Sequence, residues 1–242
     1  MQLHHSLFIK TPIVQVLEKA LAACRTIGDG IEAYPLGDYI LPSVFLNLTG
    51  FQEQKLRCIC WDAATIDYEF RRDWISDVGK LGEYSSYDAK NLVYKKLSGK
   101  LDKKLCDNYT QSSLFTDSKK RAIIDKVFRC MDDILQETIM VKWKSKDYVE
   151  YLIWRRKLKS FHFAKDALLD ECLKNVYDSL YKGRNRFAHN TVSYQENLPS
   201  LRELSNQEII VDNFFCWFTL LMLIDEIFIC LYDAFLEMLG IL

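Results

Sequence analysis

The chain has 242 residues, of which 49% are hydrophobic and 27% are charged, and its formal net charge is −1. This composition predicts a globular protein with its own core and excludes an intrinsically disordered chain. A net charge so close to zero also excludes binding to polyanions through overall charge. Any nucleic-acid site must therefore come from local patterning.

Charged groups interrupt the first 30 residues, so no secretory signal is expected there. The apolar run at residues 214–224 is too short to span a bilayer. Among the eight cysteines only Cys58 and Cys60 are close together, and this spacing does not suit zinc. We therefore expect a cytoplasmic protein with reduced thiols, no membrane partner, no metal and no cofactor.

In chain order, helical periodicity begins after Thr11-Pro12, a typical helix start, and stops at Ile27-Gly28. A turn-rich segment is predicted for residues 28–43 and a long helix for residues 44–75. Residues 77–118 have the least regular pattern. One short helix is predicted there over residues 88–97, ended by Gly99.

Four further helices are predicted, over residues 117–143, 147–159, 165–182 and 205–239. Ser205 and Glu208 form a capping box ahead of the last one. Glu226, Asp233 and Glu237 share one narrow face of that helix, so it should be buried in a bundle core or against a second subunit. No strand pattern, repeat or low-complexity tract is present, and the predicted fold is an all-α bundle.

Residues 184–190, RNRFAHN, concentrate polar and titratable groups in this largely apolar chain. These groups suit metal-independent scission of RNA, in which the ribose 2′-OH attacks the neighbouring phosphorus. Histidine can move protons near neutral pH, and arginine can stabilise charge that develops on phosphate. The products would carry 2′,3′-cyclic phosphate and 5′-OH ends, and DNA would not be cut.

The helical geometry of this stretch leaves two arrangements open. Asn185 and His189 share a helix face, so the amide could fix the imidazole tautomer. Arg184 and His189 point roughly 140° apart on an ideal helix. They converge only if the helix ends or distorts between them, or if a second copy of the chain brings its own pair alongside.

RNRFAHN resembles the R-x4-H signature of the HEPN superfamily of α-helical bundles. The resemblance implies catalytic roles for Arg184 and His189 and supporting roles for Asn185, Asn190 and Arg186. It implies a metal-independent endoribonuclease in a toxin–antitoxin or anti-phage defence setting. The family also places the motif near the end of one long helix, with another long helix after it.

The same resemblance implies RNA as substrate and a homodimer formed through the C-terminal helices and the motif region. An antitoxin or a nucleotidyltransferase is a further expected partner. Residues 43–242 would form the HEPN-like domain, and residues 1–42 an N-terminal helical extension. Because some members of the superfamily are inactive, a silent nucleotide-binding, RNA-binding or scaffolding module is the alternative.

Some branches of the superfamily carry an additional Glu-x3-Lys-Arg element on an earlier helix. Here EQKLR places Glu53 and Arg57 four residues apart, but Cys58 follows, so the match is partial. An ordinary ion pair within one helix is the preferred interpretation.

A basic stretch with interleaved aromatic residues covers residues 142–186 and overlaps the start of the motif. The charges alone favour a solvated helix face over a nucleic-acid surface. Within the stretch, RRKLKSFH has the looser arginine-to-histidine spacing that the family allows, but a basic helix end is the preferred interpretation. The candidate RNA-binding residues are Arg155, Arg156, Lys159, His162 and Lys182.

Overall fold

The structure is a computed structural model that describes residues 5–24, 27–28, 30, 33–77, 84–107, 115–136, 139–159, 167–188 and 213–241. These residues form helices and no strand, so the predicted all-α fold is confirmed. The helices are α1 (Ser6–Lys10), α2 (Val14–Cys24), α3 (Tyr34–Ile66), α4 (Tyr68–Asp77), α5 (Tyr87–Asp107), α6 (Asp117–Gln136), α7 (Met140–Trp143), α8 (Ser145–Lys157), α9 (Glu171–Ala188) and α10 (Phe214–Met238).

The last helix, α10, forms the centre of the molecule. Every residue from Phe215 to Phe228 is buried, and α3, α5, α6, α8 and α9 all pack against it. A helix covered on all sides is apolar nearly all round, as this sequence is. The prediction that the last helix is buried on most sides is confirmed, and the covering helices belong to the same chain.

α10 starts later than predicted, at Phe214. The Asn213 side chain caps it, because Oδ1 accepts hydrogen bonds from the backbone N–H groups of Phe215 (3.0 Å) and Cys216 (3.3 Å). This cap satisfies donors that have no partner within the helix. The predicted capping residues, Ser205 and Glu208, lie outside the described residues.

Among the described helices, α10 alone is long and apolar enough to cross a membrane. In its most apolar window, however, 83% of the residues are buried inside the protein. Its hydrophobicity is accounted for by the bundle core that it fills.

The turn-rich segment predicted for residues 28–43 is wrong from residue 34 onward, because α3 begins there. Pro35 lies in the first turn of α3, where its fixed φ favours a helix start. α3 then continues through Pro42. Leu41, Phe45 and Leu48 are fully buried on one face of it, and this burial outweighs the cost of an internal proline.

The residues before α3 belong to the same core. A buried ion pair joins Lys55 Nζ on α3 to Asp225 Oδ1 on α10 at 2.6 Å. Lys55 also donates to the backbone oxygen of Thr11 (2.6 Å), and Asp225 Oδ2 accepts from the backbone N–H of Ile13 (2.9 Å). The expected boundary between extension and domain, at residue 42, falls inside α3.

Other predicted helix bounds also need correction. Thr11 does not cap α2, which begins at Val14; its hydroxyl donates to the Leu7 carbonyl of α1. The helix predicted for residues 117–143 is α6 followed by the short α7, and the helix predicted for residues 165–182 is α9, Glu171–Ala188. The helix predicted for residues 44–75 is interrupted at Asp67, which has extended backbone and separates α3 from α4. Gly99 lies within α5 and does not end it, because buried Val93, Leu97 and Leu101 continue the apolar face past the glycine.

The cysteines of the described residues behave largely as apolar core side chains. Cys24, Cys58, Cys60 and Cys216 are buried free thiols. Burial raises the pKa of Cys60 to about 12, so this thiol stays protonated at neutral pH.

Candidate functional site

The described part of the motif lies in the last turn of α9. α9 is amphipathic, and it buries Leu173, Val176, Leu180 and Gly183 along one face. Arg184 follows directly after that face and keeps 30% of its side chain exposed. α9 ends at Ala188, and the next described helix, α10, begins at Phe214. Residues 184–188, the part of the motif that the structure describes, thus lie at the end of one long helix.

Gly183 lets α9 approach α10 closely at the start of the motif. A Cβ on this residue would lie only 2.6 Å from Cη2 of Trp217 and 3.1 Å from Cζ3. No other residue type fits at that distance without movement of the indole. The glycine therefore allows the short distance between α9 and α10 at the start of the motif.

Glu53 on α3 is shared by two arginines. Its Oε1 atom accepts a hydrogen bond from Arg57 Nη2 at 2.7 Å, within the same helix. Its Oε2 atom lies 3.6 Å from Arg184 Nη2 on α9. The preferred ion-pair interpretation of EQKLR is confirmed, and the structure adds a contact between this element and the motif arginine.

Asn185 also positions Arg184. Its Oδ1 atom accepts a hydrogen bond from Arg184 Nη1 at 3.1 Å. One guanidinium nitrogen is thus bound to the amide and the other faces the Glu53 carboxylate. A guanidinium held on two sides is restricted in orientation, which is what a binding site for a phosphate oxygen requires.

A narrow crevice lies beside Arg184, between α3, α5, α9 and α10. Its free volume is about 10 Å³, which is room for about one water molecule. A phosphodiester is too large for a space of this size. The lining includes Thr49, Gln52, Ser85, Lys90, Tyr181 and Arg184.

Lys90 on α5 is the least expected member of this lining. It is only 2% exposed, and its Nζ atom lies 5.9 Å from the centre of the Tyr177 ring. Burial lowers the pKa of Lys90 to about 7, and Arg184 acts in the same direction, whereas Glu53 and Asp225 oppose the shift. A buried lysine with such a pKa beside a surface crevice is typical of a functional site.

Gln52 leaves an unused acceptor in the same crevice. Its Nε2 group donates to the Leu221 carbonyl at 2.8 Å. Its Oε1 atom is buried and has no donor among the described residues. The crevice thus contains the Lys90 amine, which is protonated only in part near pH 7, and an amide oxygen with no donor among the described residues, so its interior is polar.

Among the described residues, several basic side chains lie near the Glu53 carboxylate. Arg57 and Arg184 contact it directly, Lys90 lies within its electrostatic influence, and nearby Lys55 pairs with Asp225. Basic side chains in a partly buried region attract anions, because the low local dielectric strengthens electrostatic attraction. The arrangement can bind a phosphate group at the mouth of the crevice.

Three predicted site residues, His162, His189 and Asn190, lie outside the described residues. Of the other candidates near the motif, Lys182 is exposed and Arg186 is partly buried in the last turn of α9. Lys182 lies two residues before Arg184, so it points to the opposite side of α9.

The basic residues of α8 are not brought to the motif. Phe215 of α10 packs on Tyr148 and Tyr151 of α8, whereas Trp217 of α10 faces Gly183 of α9. Two residues along a helix amount to a turn of about 200°. Arg155, Arg156 and Lys159 therefore lie across α10 from Arg184 within one chain.

Sequence patterns do not identify Lys90, because it lies in a lysine-containing helix that appears solvent-exposed. Burial results from contacts with α3 and α9, which are distant in sequence. Glu53 carried a weak signal in the EQKLR element, but only the structure connects it to Arg184.

Comparison of the chain with protein families, with curated proteins and with solved structures yields no match.

Proposed function

We propose that this protein is a HEPN-type, metal-independent endoribonuclease that cleaves RNA by attack of the 2′-OH on the neighbouring phosphorus. The observation that carries the proposal is the placement of Arg184. Glu53 and Asn185 hold its guanidinium beside a crevice that Lys90 also lines, and His189 follows five residues later in the sequence. Arginine supplies the cation that phosphate-ester chemistry needs, and histidine is the residue type that moves protons.

In the proposed reaction Arg184 binds a non-bridging oxygen of the scissile phosphate. The ribose O2′ forms a bond to phosphorus while the bond from phosphorus to O5′ breaks. His189 takes part in proton transfer, which moves the proton from the 2′-OH and supplies one to the leaving O5′. Lys90, which lines the same crevice as Arg184, does not touch the RNA, but its protonated form favours the negative charge that develops on the phosphate.

A second copy of the chain is part of the proposal. One histidine cannot be base and acid on both sides of the phosphorus at once, and a dimer that brings two motifs together supplies two. α10 is covered by its own chain, so the motif-bearing end of α9 is the surface proposed for this dimer.

The proposed cellular setting is a cytoplasmic toxin of a toxin–antitoxin or anti-phage defence system, with an antitoxin or a nucleotidyltransferase as partner. Uncontrolled cleavage of RNA stops growth. Expression of the wild-type chain should therefore inhibit growth, and His189→Ala should relieve the inhibition. Equal inhibition by both chains, at equal protein levels, would contradict a toxic ribonuclease.

The chemistry itself is tested with the 2′-OH removed. Sites cut in a mixed-sequence RNA would first be mapped and the product ends identified. An otherwise identical RNA with a single 2′-deoxy residue on the 5′ side of one mapped site should resist cleavage there and still be cut elsewhere. Cleavage at the deoxy position, or 3′-OH ends, would exclude attack by the 2′-OH.

A further inference from the structure

An open groove lies between α6 and α8, with a free volume of about 460 Å³. This volume is within the range of about 300–1,000 Å³ that is usual for small-ligand sites. Its lining is half apolar and half cationic: Phe128, Leu152, Leu158, Arg155, Arg156 and Lys159. Solvated basic faces of helices do not ordinarily enclose such an apolar floor.

The orientation of the Arg155 guanidinium in this groove is fixed by two neighbours, Asp132 and Phe128. Both of its terminal nitrogens bind the Asp132 carboxylate, Nη2 at 2.8 Å from Oδ2. Its guanidinium carbon lies 4.4 Å from the centre of the Phe128 ring. A guanidinium fixed by a carboxylate and an aromatic ring presents a planar surface, on which a nucleobase can stack.

Two further cations lie at the edge of the groove. Asp132 neutralises Arg155, and among the described residues Arg156 and Lys159 have no acidic partner. The α8 dipole explains why cations are favourable at the end of this helix. It does not explain why they line an apolar groove next to a fixed guanidinium. Apolar and planar surface flanked by cations is the combination that binds single-stranded nucleic acid.

We propose that the groove between α6 and α8 is a binding site for single-stranded RNA, in which a base stacks against Arg155 and the apolar floor while Arg156 and Lys159 bind the flanking phosphates. The proposal takes its ligand class from the proposed function and adds a second site to it. Since the groove lies across α10 from Arg184, it would hold RNA away from the cleavage position of the same chain.

Binding is measured by fluorescence anisotropy of a short labelled RNA, with Arg184→Ala as the parent so that cleavage does not interfere. The double variant Arg156→Gln with Lys159→Gln should bind single-stranded RNA at least about tenfold more weakly. It should also reduce the slope of log affinity against log salt by about 1.4, that is 0.7 for each of two lost phosphate contacts. The control variant, Lys19→Gln with Lys95→Gln, removes two exposed cations on α2 and α5 and should stay within about twofold of the parent.

Stacking of a base on Arg155 is tested by Arg155→Lys, which keeps the positive charge and removes the planar guanidinium group. This variant should lose about tenfold in affinity for single-stranded RNA and little for duplex RNA, whose bases are not free to stack. Its thermal unfolding is recorded to verify that the fold persists.

Equal weakening by the groove variant and the control variant would mean attraction by overall charge only and would overturn the proposal. Unchanged binding by the groove variant would overturn it as well. Loss of binding in the groove variant alone, together with a wild-type protein that never cuts RNA, would support the groove and contradict the ribonuclease.

Discussion

At the scale of single residues, Glu53 is the group on which the orientation of Arg184 depends. It is 16% exposed and contacts both Arg184 and Arg57. Removing its charge leaves the motif arginine held by Asn185 alone. If the guanidinium can change its orientation, its N–H donors are no longer positioned in advance for the phosphate.

Glu53→Gln should therefore lower the RNA-cleavage rate by about tenfold or more and leave the fold intact. Arg57→Gln is the matched control, because it breaks the exposed ion pair but keeps the contact between Glu53 and Arg184. It should cost less than about 1 kcal/mol of stability and little activity. Single-turnover cleavage rates of the two variants test this prediction. Equal rates would contradict a positioning role for Glu53.

Lys90 predicts a pH dependence of stability. Its pKa of about 7 in the folded protein lies below the ordinary value near 10.4 of the unfolded chain. Between these two values the unfolded state binds more protons, so the contribution of Lys90 to the free energy of unfolding rises with pH. Below about pH 7 the full cost of burying the ammonium applies.

Lys90→Met should remove that rise and should make the protein more stable at pH 7, because an apolar side chain replaces a buried charge. Urea unfolding of both proteins at pH 7 and pH 9 measures the effect. The difference between the two proteins, rather than either curve alone, isolates Lys90 from other titrating groups. The same difference at both pH values would contradict the buried, shifted lysine.

At the scale of helices, the contact between α9 and α10 sets the site. Gly183→Ala should destabilise the protein by about 1–2 kcal/mol, because the added methyl group overlaps the Trp217 ring and outweighs the better helix propensity of alanine. Gly99→Ala, on α5, is the control, since nothing lies within 4 Å of its Cβ position. It should stabilise by about 0.5–1 kcal/mol. Opposite signs in urea unfolding are expected, and a stabilising Gly183→Ala would refute the close contact.

Local patterns predicted the helices that have a clear apolar face, namely α6 and α9, although the bounds of α9 lie about six residues later than predicted. They failed where tertiary burial decided the outcome. Residues 34–43 contain two prolines and a glycine and appear turn-like, yet buried Leu41 requires a helix there. In the site, RNRFAHN marked Arg184, but its partner Glu53 and the buried Lys90 come from distant helices. Spacing along the chain does not reveal such contacts.

At the scale of the whole molecule, α10 changes how dimerisation should be tested. Its apolar length first suggested an interface, but Leu220 is fully buried within one chain. Leu220→Glu should therefore unfold the protein, at a cost of more than about 4 kcal/mol, and should not yield a folded monomer. The exposed Glu237→Gln on the same helix should change stability by less than about 0.5 kcal/mol. Circular dichroism with light scattering would detect a folded, monomeric Leu220→Glu variant, which would contradict the burial.

Cleavage of a mixed-sequence RNA in excess EDTA tests the central claim most directly. Wild type, Arg184→Ala, His189→Ala and the control Lys19→Ala, which removes an exposed cation on α2, would be compared in single-turnover reactions. We expect wild type and Lys19→Ala to cut and to leave 2′,3′-cyclic phosphate ends, and the other two variants to lose at least about a hundredfold in rate. Equal cutting by all four proteins would place the activity outside the motif. A wild type that binds RNA but never cuts it would favour the silent binding module over the ribonuclease.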